Sequence, residues 1–201
     1  MAIANHGTKK NSTKKKQWAR LLMGLTLGIC TLGATYPDSA MSAALDRKML
    51  NYMDSYGNVN LRNARHINLP NPFIVEGHLN LEQSQLTHLP QQVTVKGNLN
   101  LAYSKIIQLP LQLQVGGYIN LAHSDIEYLN NGLRVAGDLS LMGTKLTELP
   151  PYLHVGGNLY LAQTAITELP KHLVVEGNIY LGGAPVKVIP EEVYIGGNIY
   201  R

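Results

Sequence analysis

A chain of 201 residues with a single cysteine fits one domain plus appendages and excludes a disulfide framework. The formal charge is +4, but 6 of the 17 Lys and Arg residues, and only Asp38 among the 13 acids, lie in residues 1–44. The remaining 11 bases and 12 acids bring residues 45–201 to about −1, so a basic surface for nucleic acid or anionic lipid has no support.

The N-terminal segment has three parts. Residues 1–20 carry Lys9, Lys10, Lys14, Lys15, Lys16 and Arg20 with no acid, and 21–34 form an uncharged apolar run. Small residues then offer cleavage after Ala43 or Ala44. This order predicts a secretory signal peptide over residues 1–44 and a secreted or envelope-facing product. The alternative is an uncleaved N-terminal anchor, for which the apolar run is short against the ~20 residues of a span. Cys30 lies in the apolar run, after an Ile too large for a lipoprotein site, and leaves with the leader if cleavage occurs.

Residues 45–56 predict a short amphipathic helix. Leu45, Met49 and Met53 recur four apart, Ser42 can cap the start, and Gly57 can follow the end. The helix stands where a repeat array needs a lid.

From Gly57 the chain repeats every twenty residues without insertion. Seven units begin at Gly57, Gly77, Gly97, Gly117, Gly137, Gly157 and Gly177, and an eighth begins at Gly197. A fixed period of this length is the signature of a solenoid, whose units stack on copies of themselves. Leucines two apart, such as Leu99 and Leu101, point to one face of an extended segment, and Val93 with Val95 forms a second such pair. The glycine between the pairs marks a corner that needs either positive φ or space without a Cβ. Pro70, Pro90, Pro110, Pro150, Pro170 and Pro190 mark another corner, replaced once by Asn130-Asn131-Gly132. Ser84, Ser104, Ser124, Thr144 and Thr164 fall where a buried hydroxyl can satisfy turn backbone. The first coil is irregular, with His66 at an otherwise apolar position. The last places Arg201 where earlier units have Leu.

The pattern L-x-L-x-x-[S/T]-x-[I/L]-x-x-L-P, over 57–201, resembles a leucine-rich repeat of the short bacterial type. Two departures stand out: Ser or Thr replaces the usual Asn, and a G-N-L-x-L lead-in replaces the first Leu. They predict a coil closer to a β-helix than to the strand-and-helix horseshoe. The expected fold is an all-β-leaning solenoid, leucine-rich-repeat or β-helix-like, of seven coils with short parallel strands behind a capping helix. The resemblance implies a bacterial protein that binds rather than catalyses.

The residue between the paired leucines forms an outward column: Asn60, Asn80, Asn100, Asn120, Ser140, Tyr160, Tyr180 and Tyr200. The three tyrosines, with Tyr194 on the neighbouring side, are the candidate binding residues for a protein or glycan ligand. His123, Asp125 and Glu127 share one loop, yet Lys105 and Lys145 flank Asp125 a coil away, which favours a solvated charge ladder over a metal site. His66, His78, His88, His154 and His172 occupy different repeat positions and are not expected to converge. No cluster of carboxylates suited to glycan hydrolysis assembles, so neither catalysis nor a cofactor is expected. The alternative function is a stalk or passenger that self-associates end to end through its C-terminal edge. A β-helix carbohydrate-active enzyme is a third.

Overall fold

The computed structural model describes residues 49–201, and the leader and residues 45–48 of the expected cap lie outside that range. The chain winds as the period predicts, each coil returning one rung further along. Val59 pairs in parallel with Leu79, Leu79 with Leu99, and so on to Ile179 with Ile199. The first side of the stack is thus one eight-stranded sheet of two-residue strands. A strand that short cannot pair within its own coil, so its backbone groups find partners one coil away. The corner glycines show the rule: the Gly77 N–H donates to the Gly57 carbonyl at 3.0 Å, and the same bond recurs to Gly197 at 2.9–3.1 Å.

The second side is two sheets. Phe73–Val75, Gln92–Val95 and Gln112–Val115 form one, while Arg134–Val135, His154–Val155, Val174–Val175 and Tyr194–Ile195 form the other. The break falls at the unit that lacks the corner proline. From that coil onward a turn with positive φ at Gly132 (+69°), Tyr152 (+58°) and His172 (+59°) shortens the strand. The Gly116 N–H still donates to the Val95 carbonyl, and the Gly156 N–H to that of Val135. Among the described residues no such bond joins Ala136 to Val115. Asn130 bridges the change of cross-section, its Nδ2 donating to the Leu109 carbonyl at 2.9 Å.

The interior is apolar from end to end. Leu79, Leu81, Leu99, Leu101, Leu139, Leu141, Leu159 and Leu161 are fully buried, and the valine side contributes Val93, Val155 and Val175. Four of the five buried hydroxyls close their own turn, and the Ser84 Oγ is buried without a partner. Ser104 Oγ donates to the Leu101 carbonyl at 2.7 Å, and Ser124, Thr144 and Thr164 repeat the bond with the carbonyl three residues before. These bonds lie within a coil rather than between coils.

Two expectations change on contact with the geometry. Of the corner glycines only Gly57 has positive φ (+74°). The rest are required by crowding: a Cβ on Gly177 would lie 2.7 Å from the Gly157 carbonyl oxygen and 2.8 Å from its carbon. The left-handed corner stands elsewhere, at Asn63, Gln83, Tyr103, His123, Gly143, Gln163 and Gly183. The cap is also shorter than a helix over 45–56. After Met49 it is a single 3-10 turn, Leu50–Tyr52, and Met53 is already extended and bridged antiparallel to Val59. Asp54 holds the reversal, its carboxylate accepting the Tyr56 and Asn58 backbone N–H groups, both at 2.9 Å, and the Asn58 Nδ2 at 2.8 Å.

Gly177→Ala is expected to destabilise the array by about 1–3 kcal/mol, because backbone has no rotamer with which to yield. Gly132→Asn, at an open position where neighbouring coils hold Tyr and His, is expected to cost less than about 1 kcal/mol. Equilibrium urea unfolding of the two variants checks the contrast.

The hydrogen bonds from the Asn58 side chain and backbone hold the Asp54 carboxyl below its ordinary value. A carboxyl depressed on folding stabilises at pH above its unfolded value, and the contribution is lost as pH falls through the folded one. The protection of the Tyr56 and Asn58 amides, measured against the intrinsic exchange rate at each pH, is therefore expected to fall on acidification before that of the central coils does.

Candidate functional site

The outward column on the eight-stranded sheet divides by chemistry. Its asparagines are occupied. Asn60, Asn80, Asn100 and Asn120 each accept, through Oδ1, the backbone N–H two residues on, at 3.0–3.2 Å. Their Oδ1 atoms fasten the turn after each strand. The tyrosines make no such bond. Tyr160 and Tyr180 stack with ring centroids 4.8 Å apart and planes 6° from parallel, and Tyr180 and Tyr200 at 4.9 Å and 10°. That separation is the rung spacing of a sheet, so the strip is a direct product of the backbone ladder. Tyr160 and Tyr180 are half-buried by one another, and Tyr200 remains 47% exposed.

Tyr194 does not join the strip. It lies on the second side, paired with Val174, and is exposed without a ring neighbour among the described residues. Its place on another sheet separates it from the three stacked rings.

A second column, one residue before the buried strand leucine, went unread in the sequence. Asn58, His78, Asn98, Asp138, Asn158 and Asn178 each accept the backbone N–H of the residue one coil on, at 2.7–3.1 Å. His78 takes an asparagine's place through Nδ1, which must therefore be unprotonated. Tyr118 alone interrupts the series. The signal was the N of the G-N-L lead-in, recurring at this position.

His123 and Asp125 turn to different partners. The His123 ring stacks on Tyr103 at 4.9 Å, and the Asp125 carboxylate pairs with Lys105 Nζ at 2.9 Å. Of the two lysines expected to flank Asp125, Lys105 forms an ion pair with it and, among the described residues, Lys145 does not. Among the described residues no three metal-ligating side chains come together. His66 and His88 both line one cavity of about 660 Å³ beside the cap, with Arg65 and Thr87. His88 Nδ1 is bonded to the Thr87 hydroxyl at 2.9 Å. No helix among the described residues is long and apolar enough to cross a membrane.

Comparison with protein-family models, with curated proteins and with solved structures returns no match to this chain.

Burial, and then the negative charges of Asp138 and Tyr180, hold the Tyr160 phenol above its ordinary value, partly offset by a hydrogen bond with Asn158. A phenol whose value rises on folding stabilises at pH below its unfolded value, and the contribution is lost as pH climbs through the folded one. Tyr160 is therefore expected to ionise above the ordinary phenol value in an absorbance titration near 295 nm. Asp138→Asn is expected to bring its midpoint down. An unmoved midpoint would remove Asp138 from the electrostatics of the strip.

Proposed function

We propose that this chain is an exported, non-catalytic binding protein, a leucine-rich-repeat variant that presents a rigid face to a protein or glycan. The observation that carries the reading is the stack of Tyr160, Tyr180 and Tyr200, held in register on a sheet whose asparagine half is bonded to its own backbone. Tyrosine offers a large contact area with few rotatable bonds, and here each ring's neighbours fix its plane before any ligand arrives. Export is supported by the basic, apolar and small-residue order of residues 1–44.

The test uses the chain immobilised and exposed to envelope and external fractions of its own host. Replacing Tyr160, Tyr180 and Tyr200 together with Ala is expected to reduce retention of the captured ligand at least tenfold. Retention equal to that of the unaltered chain, with the far-ultraviolet spectrum preserved, would overturn the strip as the site.

A further inference from the structure

The tyrosine stack stops at Tyr160. Below Tyr160 the column holds Ser140, whose hydroxymethyl group is far smaller than the rings above it and the asparagine that follows. The missing volume belongs to a cavity of about 330 Å³ lined by Asn120, Ser140 and Tyr160 of this column, by Tyr118 and Asp138 of the neighbouring column, and by Met142. Ser140 lies one coil below Tyr160, about 4.8 Å at the sheet spacing. One flat group over Ser140 stands from the Tyr160 ring at the separation the tyrosines keep from each other.

Asp138 decides which flat group. It is the only charged side chain lining the slot. Both contacts it receives from Asn158, the backbone N–H at 2.7 Å and Nδ2 at 3.3 Å, fall on Oδ1, so Oδ2 is left to a ligand. Among the described residues no Lys, Arg or His forms a salt bridge with it. Its charge is felt at the Tyr160 phenol. A half-buried carboxylate beside an aromatic face calls for a planar cation: a guanidinium stacks on a ring within about 6 Å of its centroid while donating in its own plane to a carboxylate. A lysine ammonium has the charge without the plane. A sugar ring could bond the polar groups of the slot but would leave the charge of Asp138 without a counter-ion.

We propose that the slot over Ser140 receives an arginine side chain of a protein partner, its guanidinium forming the next rung below Tyr160 and donating to Asp138. The inference rests on the tyrosine strip being the recognition face and narrows its ligand to a protein that leads with arginine.

The experiment is a solution NMR titration of the full chain with the tripeptide Gly-Arg-Gly, with Gly-Lys-Gly and chitotriose as alternative probes. Gly-Arg-Gly is expected to shift the Tyr160 ring and Ser140 amide signals, with Gly-Lys-Gly at least several-fold weaker. Asp138→Asn keeps an oxygen for the Asn158 N–H while removing the charge, and is expected to weaken the response about tenfold. Ser140→Tyr fills the slot with the residue its column already carries, and is expected to abolish the response. The slot is overturned if Gly-Arg-Gly leaves Tyr160 unmoved, or if its response survives Ser140→Tyr. A chitotriose response in place of the peptide's would overturn the ligand class. Should Ser140→Tyr perturb the coil, Asp138→Asn decides alone. A captured partner lost on removal of the three tyrosines but kept by Ser140→Tyr would leave the strip standing and remove the slot.

Discussion

The hydrogen bond between one coil and the next sets everything else in this molecule. Strands two residues long have no partner of their own, so the ladder from Gly57 to Gly197 and the strand pairs beside it fix the stack at one spacing. That spacing leaves no room for a side chain at the glycine corner, where a carbonyl already occupies the place of a Cβ. It also requires that whatever one coil presents outward, the next presents directly alongside. Stacked rings, bonded asparagines and paired charges such as Lys105 with Asp125 are the same constraint met by different side chains.

The period and the interior were legible because they follow from repetition and from the two-residue alternation of strands. Leu99, Leu101 and Ile106 are buried as their spacing predicts. The left-handed corner was not legible. Glycine marks it only at Gly143 and Gly183, while Asn, Gln, Tyr and His fill it elsewhere, so no single residue type announces it. Polar side chains tolerate that conformation, and Tyr103 and His123 stack there on each other. The split of the second side was hidden for a related reason. Asn130-Asn131-Gly132 read as a substitute for the proline corner, yet the turn it begins continues through Tyr152 and His172, whose coils keep their prolines. From Met53 onward the helical spacing of the cap lost to a stronger local demand: Met53 pairs with Val59, and Asp54 turns the chain.

The candidate site was half legible. Repetition placed Tyr160, Tyr180 and Tyr200 on one column, but could not say which column members were already engaged. That distinction is made by hydrogen bonds: each asparagine closes the turn two residues beyond it, whereas the tyrosines carry no backbone duty. Tyr194 was expected on the neighbouring side of the last coil, and the sheet order places it there.

A regular array specifies a site where its regularity lapses. Along this sheet two columns lapse together. Tyr118 interrupts the run of side chains that accept from the next coil, and Ser140 interrupts the change from asparagine to tyrosine. Neither lapse alone makes a recess: a serine between two asparagines would leave a shallow dip, and a tyrosine among asparagines would stand as an isolated post. Set diagonally on adjacent coils, they leave a gap one rung deep, lined by Tyr118 and Tyr160 and charged by Asp138. The backbone beneath stays paired, Asn120 with Ser140 and Ser140 with Tyr160, so the recess is cut into the side chains without loosening the frame that holds them. A partner entering such a recess meets a shape already formed, and the ordering of the receiving rings has been completed by folding.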